Sequence, residues 1–279
     1  MKSSDNFRKM FSVIVSATLF VAAAPLITTS CDATTAGESI TFATGVQGAT
    51  SGESVTSFTT NAGWTVQLTQ AITLIGPMYF YSGEAMTQND LWFNTGIANA
   101  CPAHSQYDYG SVLGEVFQQQ AINLLAPTLT PTGMVTGEKG TCLSMELHYH
   151  PKGDQGLAVV DASGLLSALQ NESILLSGTA SNEEQTIPFR AQVTIPNEGT
   201  MRVVQNIEGN VPLRDNSEKP GRLLTRVFLD AWLDWVDFST LTEVESDGVY
   251  LFTDGTQAMT ALIQAVRNRY SYDFVWSQQ

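Results

Sequence analysis

Short segments in which apolar and polar residues alternate dominate this sequence, and they restrict its possible folds more than any other feature. In the first clear example Trp64, Val66 and Leu68 alternate with polar neighbours, as expected of a strand with one buried face. Clusters of Gly, Asn, Pro and Asp separate the further runs, which are 72–81, 141–150, 174–179, 186–195, 201–207 and 222–229. This spacing predicts an all-β fold, mainly an antiparallel β-sandwich.

Few segments have helical character. Residues 112–125 are ambiguous, since their first half fits a strand and their second half would accept a helix. The pattern predicts a few short helices, one over 162–170 and one near the C-terminus over 256–269. Residues 63–279 are predicted to form one β-sandwich domain, because all-β domains of this size are common.

The N-terminal residues have the features of an export signal. Three basic residues precede an apolar stretch over 11–26, and small and polar residues then lead to Cys31. We therefore expect a signal peptide over residues 1–30 and a lipid anchor on Cys31, although Thr28 stands where the usual lipobox has leucine. The alternative is ordinary signal cleavage, which would leave Cys31 as a thiol. Either outcome places the protein in a bacterial cell envelope, and lipidation would make it a membrane-anchored lipoprotein, periplasmic or on the outer surface.

The segment that follows Cys31 has a different composition. Residues 31–62 are rich in Ser, Thr and Gly and carry hardly any charge, which is typical of a flexible tether. The same stretch would also accommodate a first pair of short strands, over 39–43 and 54–59.

Cysteine content supports a lipid anchor. The chain has three cysteines, Cys31, Cys101 and Cys142, and an odd number in an exported protein needs an explanation. Lipidation of Cys31 leaves one pair, which we expect to form a Cys101–Cys142 disulfide stabilising the fold by about 3 to 4 kcal/mol. The alternative is two unpaired thiols.

The charge balance restricts the partners. Thirteen basic residues oppose 27 acidic ones, and removal of residues 1–30 leaves 10 against 26, a net charge of −16. This balance argues against nucleic acids and anionic lipid headgroups. It is compatible with cations, but acidic charge alone indicates no more than solubility.

All three histidines of the chain lie between positions 104 and 150. Strand alternation places Glu146, His148 and His150 on one face, with the two imidazoles about 6 to 7 Å apart along the strand. The expected disulfide would tie the segment bearing His104 to this strand, which permits the three imidazoles to converge if the two segments run the same way and opposes it if they diverge. Three imidazoles suit copper or zinc, and Glu146 or Asp108 would complete the site or orient a ligating ring. Because the ligands are neutral imidazoles, metal binding should weaken below about pH 6.5.

Three segments resemble one family. Residues 63–68 (GWTVQL), 76–81 (GPMYFY) and 229–238 (LDAWLDWVDF), together with the histidine-bearing middle, are similar to the methanobactin-associated periplasmic copper-binding proteins. The resemblance implies a β-sandwich that binds copper through histidines, in some members beside a tryptophan oxidised to kynurenine. Only His104, His148 and His150 can take the imidazole roles here, and no tryptophan adjoins them, the nearest being Trp92.

These observations favour a protein that binds a transition metal, copper before zinc, for capture or delivery rather than for catalysis. One alternative is a non-metal envelope interaction protein or glycan-binding β-sandwich whose histidines are incidental. A second is a zinc-dependent hydrolase in which Glu146 activates a water molecule. For Trp232 and Trp235 we expect burial in the core, with a platform for sugars as the less favoured interpretation.

Overall fold

The computed structural model describes residues 37–85, 110–153, 156–196, 202–217 and 221–278. Its strands are β1 Ser39–Ala49, β2 Ser57–Thr59, β3 Thr65–Ile75, β4 Met78–Tyr81, β5 Val112–Val116, β6 Gln119–Asn123, β7 Thr130–Glu138, β8 Thr141–His148, β9 Val159–Val160, β10 Ile174–Ser181, β11 Thr186–Val193, β12 Val203–Pro212, β13 Arg222–Phe228, β14 Glu243–Val244, β15 Tyr250–Leu251 and β16 Tyr272–Ser277. The α-helices are α1 Leu166–Leu169, α2 Leu229–Leu233 and α3 Gln257–Val266, and 3-10 turns occupy Phe238–Thr240 and Arg269–Ser271.

The described strands form three sheets. The first has the order β16-β13-β1-β7, the second β14-β15-β11-β10-β3-β6-β9 with β2 also paired to β3, and the third β12-β8-β4-β5. Neighbouring strands are antiparallel except in the pairs β1–β13, β11–β15 and β6–β9. The predicted all-β, mainly antiparallel fold is therefore confirmed, and the third sheet carries the histidine strand β8.

The first strand lies in the segment whose composition suggested a tether. Strand β1 lies between β13 and β7, and its Phe42 and Val46 are fully buried. The predicted domain boundary at residue 63 therefore falls too late, because the apolar residues at alternate positions of β1 are part of the main core. The sequence allowed strands over 39–43 and 54–59. In the structure β1 extends beyond the first of these ranges, to Ala49, and β2 covers only Ser57–Thr59 of the second.

The ambiguous segment 112–125 acquires a definite structure, and the predicted C-terminal helix is present. Residues 112–125 form the strands β5 and β6 instead of a strand and a helix, since both find pairing partners in separate sheets. The C-terminal helix α3 begins after Thr256, whose side chain accepts a hydrogen bond from the Met259 N–H, as N-cap residues do.

One large apolar cluster and a smaller one make up the core of the described residues. The largest fully buried side chains of the main cluster include Trp232, Phe42, Phe80, Phe189 and Phe238. The smaller cluster lies where α1 covers residues of β3, β6 and β10.

The two tryptophans of the 229–238 segment have opposite environments. The expected burial of Trp232 is confirmed, because its side chain is fully enclosed, whereas Trp235 is 71% exposed. Core packing is therefore the wrong interpretation for Trp235. The reason is local, since α2 ends at Leu233 and the chain then turns at the surface.

Among the described residues, no helix is long and apolar enough to cross a lipid bilayer. The predicted signal segment and Cys31 lie outside the described residues, so export and lipidation stay predictions.

Candidate metal site

Strand β8 places the candidate residues in the third sheet, between β4 and β12. Met145, Leu147 and Tyr149 are fully buried in the main core, as strand alternation predicts. The side chains of Glu146 and His148 keep 13% and 15% of their surface exposed, and His150 is 7% exposed. The three polar residues therefore lie close to solvent but with little direct access to it.

The backbone at the end of β8 is held from both sides. Gly76 N–H donates to the His148 carbonyl oxygen at 2.9 Å, and His148 N–H donates to the Pro77 carbonyl at 3.0 Å. On the opposite side, Tyr149 N–H donates to the Arg202 carbonyl at 2.7 Å. These bonds fix the position from which both imidazoles project.

The Tyr149 side chain anchors the same segment in the core. Its hydroxyl lies 2.8 Å from that of Tyr272, which in turn donates to the Val266 carbonyl oxygen at 2.5 Å. Because the Tyr272 proton is used in that second bond, Tyr149 is the donor in the first. Burial, followed by the neighbouring Tyr272 hydroxyl, raises the pKa of Tyr149 well above its ordinary value, and burial raises that of Tyr272.

The raised tyrosine pKa values predict a loss of stability in alkali. Above about pH 10 tyrosines of the unfolded chain ionise while Tyr149 stays protonated in the folded state, so stability present below that pH is lost as pH rises. The free energy of unfolding should therefore fall with rising pH, and replacing Tyr149 with phenylalanine should make that fall about 1.4 kcal/mol per pH unit less steep. Urea unfolding between pH 10 and 11.5 measures the free energy of unfolding at each pH. Tyr270→Phe is the control, because the Tyr270 ring is exposed. Equal slopes for wild type and Tyr149→Phe would contradict the prediction.

Gln119 holds the turn that follows His150. Its fully buried side chain donates from Nε2 to the carbonyl oxygens of His150 and Pro151, each at 3.0 Å. Its Oε1 accepts the Gly153 N–H at 2.8 Å. One amide from β6 therefore uses both of its ends to position the residue bearing the second imidazole.

The two imidazoles are brought together. Nδ1 of His148 lies 3.2 Å from Nε2 of His150, and the ring centroids are 5.3 Å apart. On its other side His148 contacts the Glu146 carboxylate, with Nε2 to Oε1 at 2.5 Å. The side chains at alternate positions of β8 thus form a row, Glu146–His148–His150.

Hydrogen-bond chemistry assigns the tautomer of His148. An ionised carboxylate only accepts hydrogen bonds, so Nε2 of His148 carries the proton given to Glu146. In the neutral ring Nδ1 then has a free lone pair, and this lone pair is on the side of Nε2 of His150. Without a metal, the 3.2 Å contact is an N–H···N hydrogen bond donated by His150.

The spacing of the two nitrogens also suits a metal ion. Two metal–nitrogen bonds of about 2.0 to 2.1 Å put their nitrogens about 2.8 Å apart at a right angle and about 3.3 Å apart at a tetrahedral angle. The observed 3.2 Å lies within that range. Glu146 is on the far side of His148, which is the position of an outer carboxylate that orients a ligating ring rather than that of a ligand. Of the two roles expected for Glu146, this geometry favours the orienting one, and its part in metal binding stays a prediction.

Sequence reasoning missed Tyr79. It lies on β4, paired with Glu146 of β8 and with Glu115 of β5, and its ring centroid is 5.5 Å from that of His148. Burial raises the Tyr79 pKa, and the negative charges of Glu115 and Glu146 raise it further. The alternation in β4 indicates an outward-facing tyrosine, but the strand pairing that brings it to His148 has no signal in the sequence.

Several predicted site residues cannot be placed. Cys101, His104, Asp108 and Trp92 lie outside the described residues, so the third imidazole and the disulfide stay predictions. Cys142 is described as a free cysteine, completely buried in the main core. Its thiol contacts the Ser144 carbonyl oxygen at 3.3 Å, and burial raises its pKa to about 12.

Within the described part of the chain, no group of three or more His, Cys, Asp or Glu side chains is arranged to hold a metal ion. This agrees with the geometry above, in which two nitrogens converge and Glu146 approaches from the far side. The described residues therefore offer two converging nitrogens, and a metal site there would need a third ligand from elsewhere.

No family model, no curated protein and no solved structure matches this chain.

Proposed function

We propose that this protein is an exported, lipid-anchored envelope protein that binds a transition-metal ion, copper before zinc, for capture or delivery. The observation that carries the proposal is the 3.2 Å separation between Nδ1 of His148 and Nε2 of His150, with Glu146 fixing the tautomer of His148. The resemblance to methanobactin-associated periplasmic copper-binding proteins supports the same conclusion, as does the signal-like N-terminus.

The preference for copper follows from ligand chemistry. Imidazole nitrogens bind Cu(II) more tightly than Zn(II) in the general order of divalent first-row metals. The acidic character of the chain, with a formal net charge of −14, favours the approach of any cation.

Carriage is favoured over hydrolysis by the position of Glu146. A zinc hydrolase would need a carboxylate directed at a metal-bound water. Here the Glu146 Oε1 is 2.5 Å from Nε2 of His148, on the side of the ring opposite Nδ1. This arrangement stabilises a ligating imidazole and leaves the described carboxylate away from the ion.

Metal analysis of the purified protein tests the proposal. The full-length chain, expressed with its own N-terminus and isolated from the envelope, should contain or take up one equivalent of copper per chain. Titration with Cu(II) and Zn(II) against a chelator of known affinity would rank the two metals. A protein that contains no metal and takes up neither ion would overturn the proposal.

Replacing Glu146 with glutamine should lower the affinity for Cu(II) by about 10- to 100-fold, the range typical of outer-shell changes. The neutral amide accepts a weaker hydrogen bond from His148 and so makes the ring a poorer ligand. Glu115→Gln is the matched control, since Glu115 is on the opposite side of Tyr79 in the same sheet. Chelator competition measures both, and equal affinities for the two variants would show that Glu146 has no orienting role.

A further inference from the structure

A second candidate site lies away from the histidines, between α3 and the segments that follow α2 and α3. It is a groove of about 360 Å³ whose lining includes Trp235, Tyr270, Gln264 and Asn268. Trp235 is 71% exposed and Tyr270 is 69% exposed. Exposed apolar side chains are normally scattered one by one over a protein surface, so two large aromatic rings at one groove are unusual.

The segment bearing Trp235 is fixed in place. Its neighbours Leu233 and Val236 are fully buried, and the Asp234 carboxylate accepts hydrogen bonds from the backbone N–H and the side-chain amide of Asn61. The Asp234 carbonyl also accepts the Ala62 N–H at 3.3 Å. The indole is therefore presented on an anchored turn.

Tyr270 is held in a similar way. The guanidinium of Arg269 lies 4.8 Å from the centroid of the Tyr270 ring and donates to its hydroxyl at 2.8 Å. Arg269 also pairs with Glu208 of β12 at 3.2 Å, and the Tyr270 N–H donates to Oδ1 of Asn268 at 3.1 Å. An ordered ring loses little conformational entropy when a ligand packs on it.

The remaining lining defines the chemistry of the ligand. Small side chains, those of Ala231, Ala261 and Ala265, are part of the groove and let a flat molecule approach the backbone closely. Gln264 presents a neutral amide that both donates and accepts hydrogen bonds. Asn268, whose Oδ1 accepts the Tyr270 N–H, presents its Nδ2 donors. Asp234 is engaged by Asn61, and the Arg269 guanidinium at the Tyr270 ring is paired with Glu208. An anionic ligand would be disfavoured by this lining and by the net charge of the chain.

We propose that this groove binds a neutral carbohydrate, with the pyranose rings packed against Trp235 and Tyr270 and their hydroxyls bonded to the Gln264 and Asn268 amides. A sugar ring has apolar C–H faces and a polar hydroxyl edge, which matches aromatic rings beside amides. The volume of the groove is within the range of small-molecule sites. This site is independent of metal binding at His148 and His150.

Calorimetric titration of the full-length protein with cellohexaose, chitohexaose, maltohexaose and laminarihexaose tests the proposal. At least one of these neutral oligosaccharides should bind, and Trp235→Ala and Tyr270→Ala should each weaken that binding by about 10-fold or more. Phe117→Ala, which removes another exposed aromatic ring, should leave the affinity unchanged. Thermal melts establish that each variant is folded.

Three results would overturn the carbohydrate proposal. The first is that none of the four oligosaccharides binds, and the second is that binding is the same in wild type, Trp235→Ala and Tyr270→Ala. The third is light scattering in which wild type is an oligomer and Trp235→Ala a monomer without any sugar binding, which would make the groove an interface between copies of this chain.

Discussion

Replacing His148 and His150 together with glutamine is expected to lower the affinity for Cu(II) by more than about 100-fold, beyond the effect typical of an outer-shell change. The reason is that both nitrogens at the 3.2 Å contact are removed, and a side-chain amide is a poor ligand for copper or zinc. Glutamine is preferred to alanine at position 148, because its amide can still donate to Glu146, which is 13% exposed and would be costly to leave unpaired.

The double variant should remain folded. Both histidines are at the end of β8, and the backbone bonds that hold His148 do not involve its side chain. Circular dichroism and thermal melting establish this, and chelator competition gives the affinity. Retention of one tightly bound equivalent of copper or zinc by a folded double variant would show that the site is wrongly assigned. A separate His104→Gln variant tests the third imidazole predicted from sequence.

Features that depend on local periodicity could be predicted from the sequence. The period of two in β8 places Met145, Leu147 and Tyr149 in the core and Glu146 and His148 together on the other face, because side chains of a strand alternate whatever its partners are. The same argument gives the strands and the fold class.

Features that depend on which strands pair could not be predicted. Tyr79 reaches His148 because β4 pairs with β8, and Gln119 reaches His150 from β6, a strand of a different sheet. Nothing in a run of residues specifies such long-range contacts. The choice between the two roles expected for Glu146 also needed coordinates, since alternation places it near His148 without deciding which nitrogen it contacts.

The exposure of Trp235 was missed for a related reason. Both rings were expected in the core because tryptophan side chains usually pack there, and the sequence does not show where the segment turns. Because α2 ends at Leu233, the two side chains diverge, one into the core and one to solvent. Directly after the helix, Asp234 is held by tertiary contacts with Asn61, which the sequence does not show.

Replacing Gly76 with alanine should destabilise the protein by about 3 kcal/mol or more. Gly76 has a φ of 126°, a conformation that side chains strongly disfavour. A Cβ there would also lie 2.3 Å from the Gln118 carbonyl oxygen, and this backbone, which connects β5 to β6, cannot move aside cheaply. For a chain of this size the loss corresponds to a fall in melting temperature of about 6 to 12 °C.

Two other glycines separate the causes of this effect. At Gly63, with a φ of 83°, no heavy atom lies within 4 Å of an added Cβ, and the same open space surrounds Gly52, for which no left-handed φ is found. Gly63→Ala should therefore cost about 1 kcal/mol from backbone strain alone, and Gly52→Ala should change stability by less than about 0.5 kcal/mol. Because Gly76 N–H also donates to the His148 carbonyl, Gly76→Ala should weaken copper binding as well, whereas the two control variants should not. A Gly76→Ala protein as stable as Gly52→Ala would mean that the turn between β3 and β4 does not approach Gln118 as described.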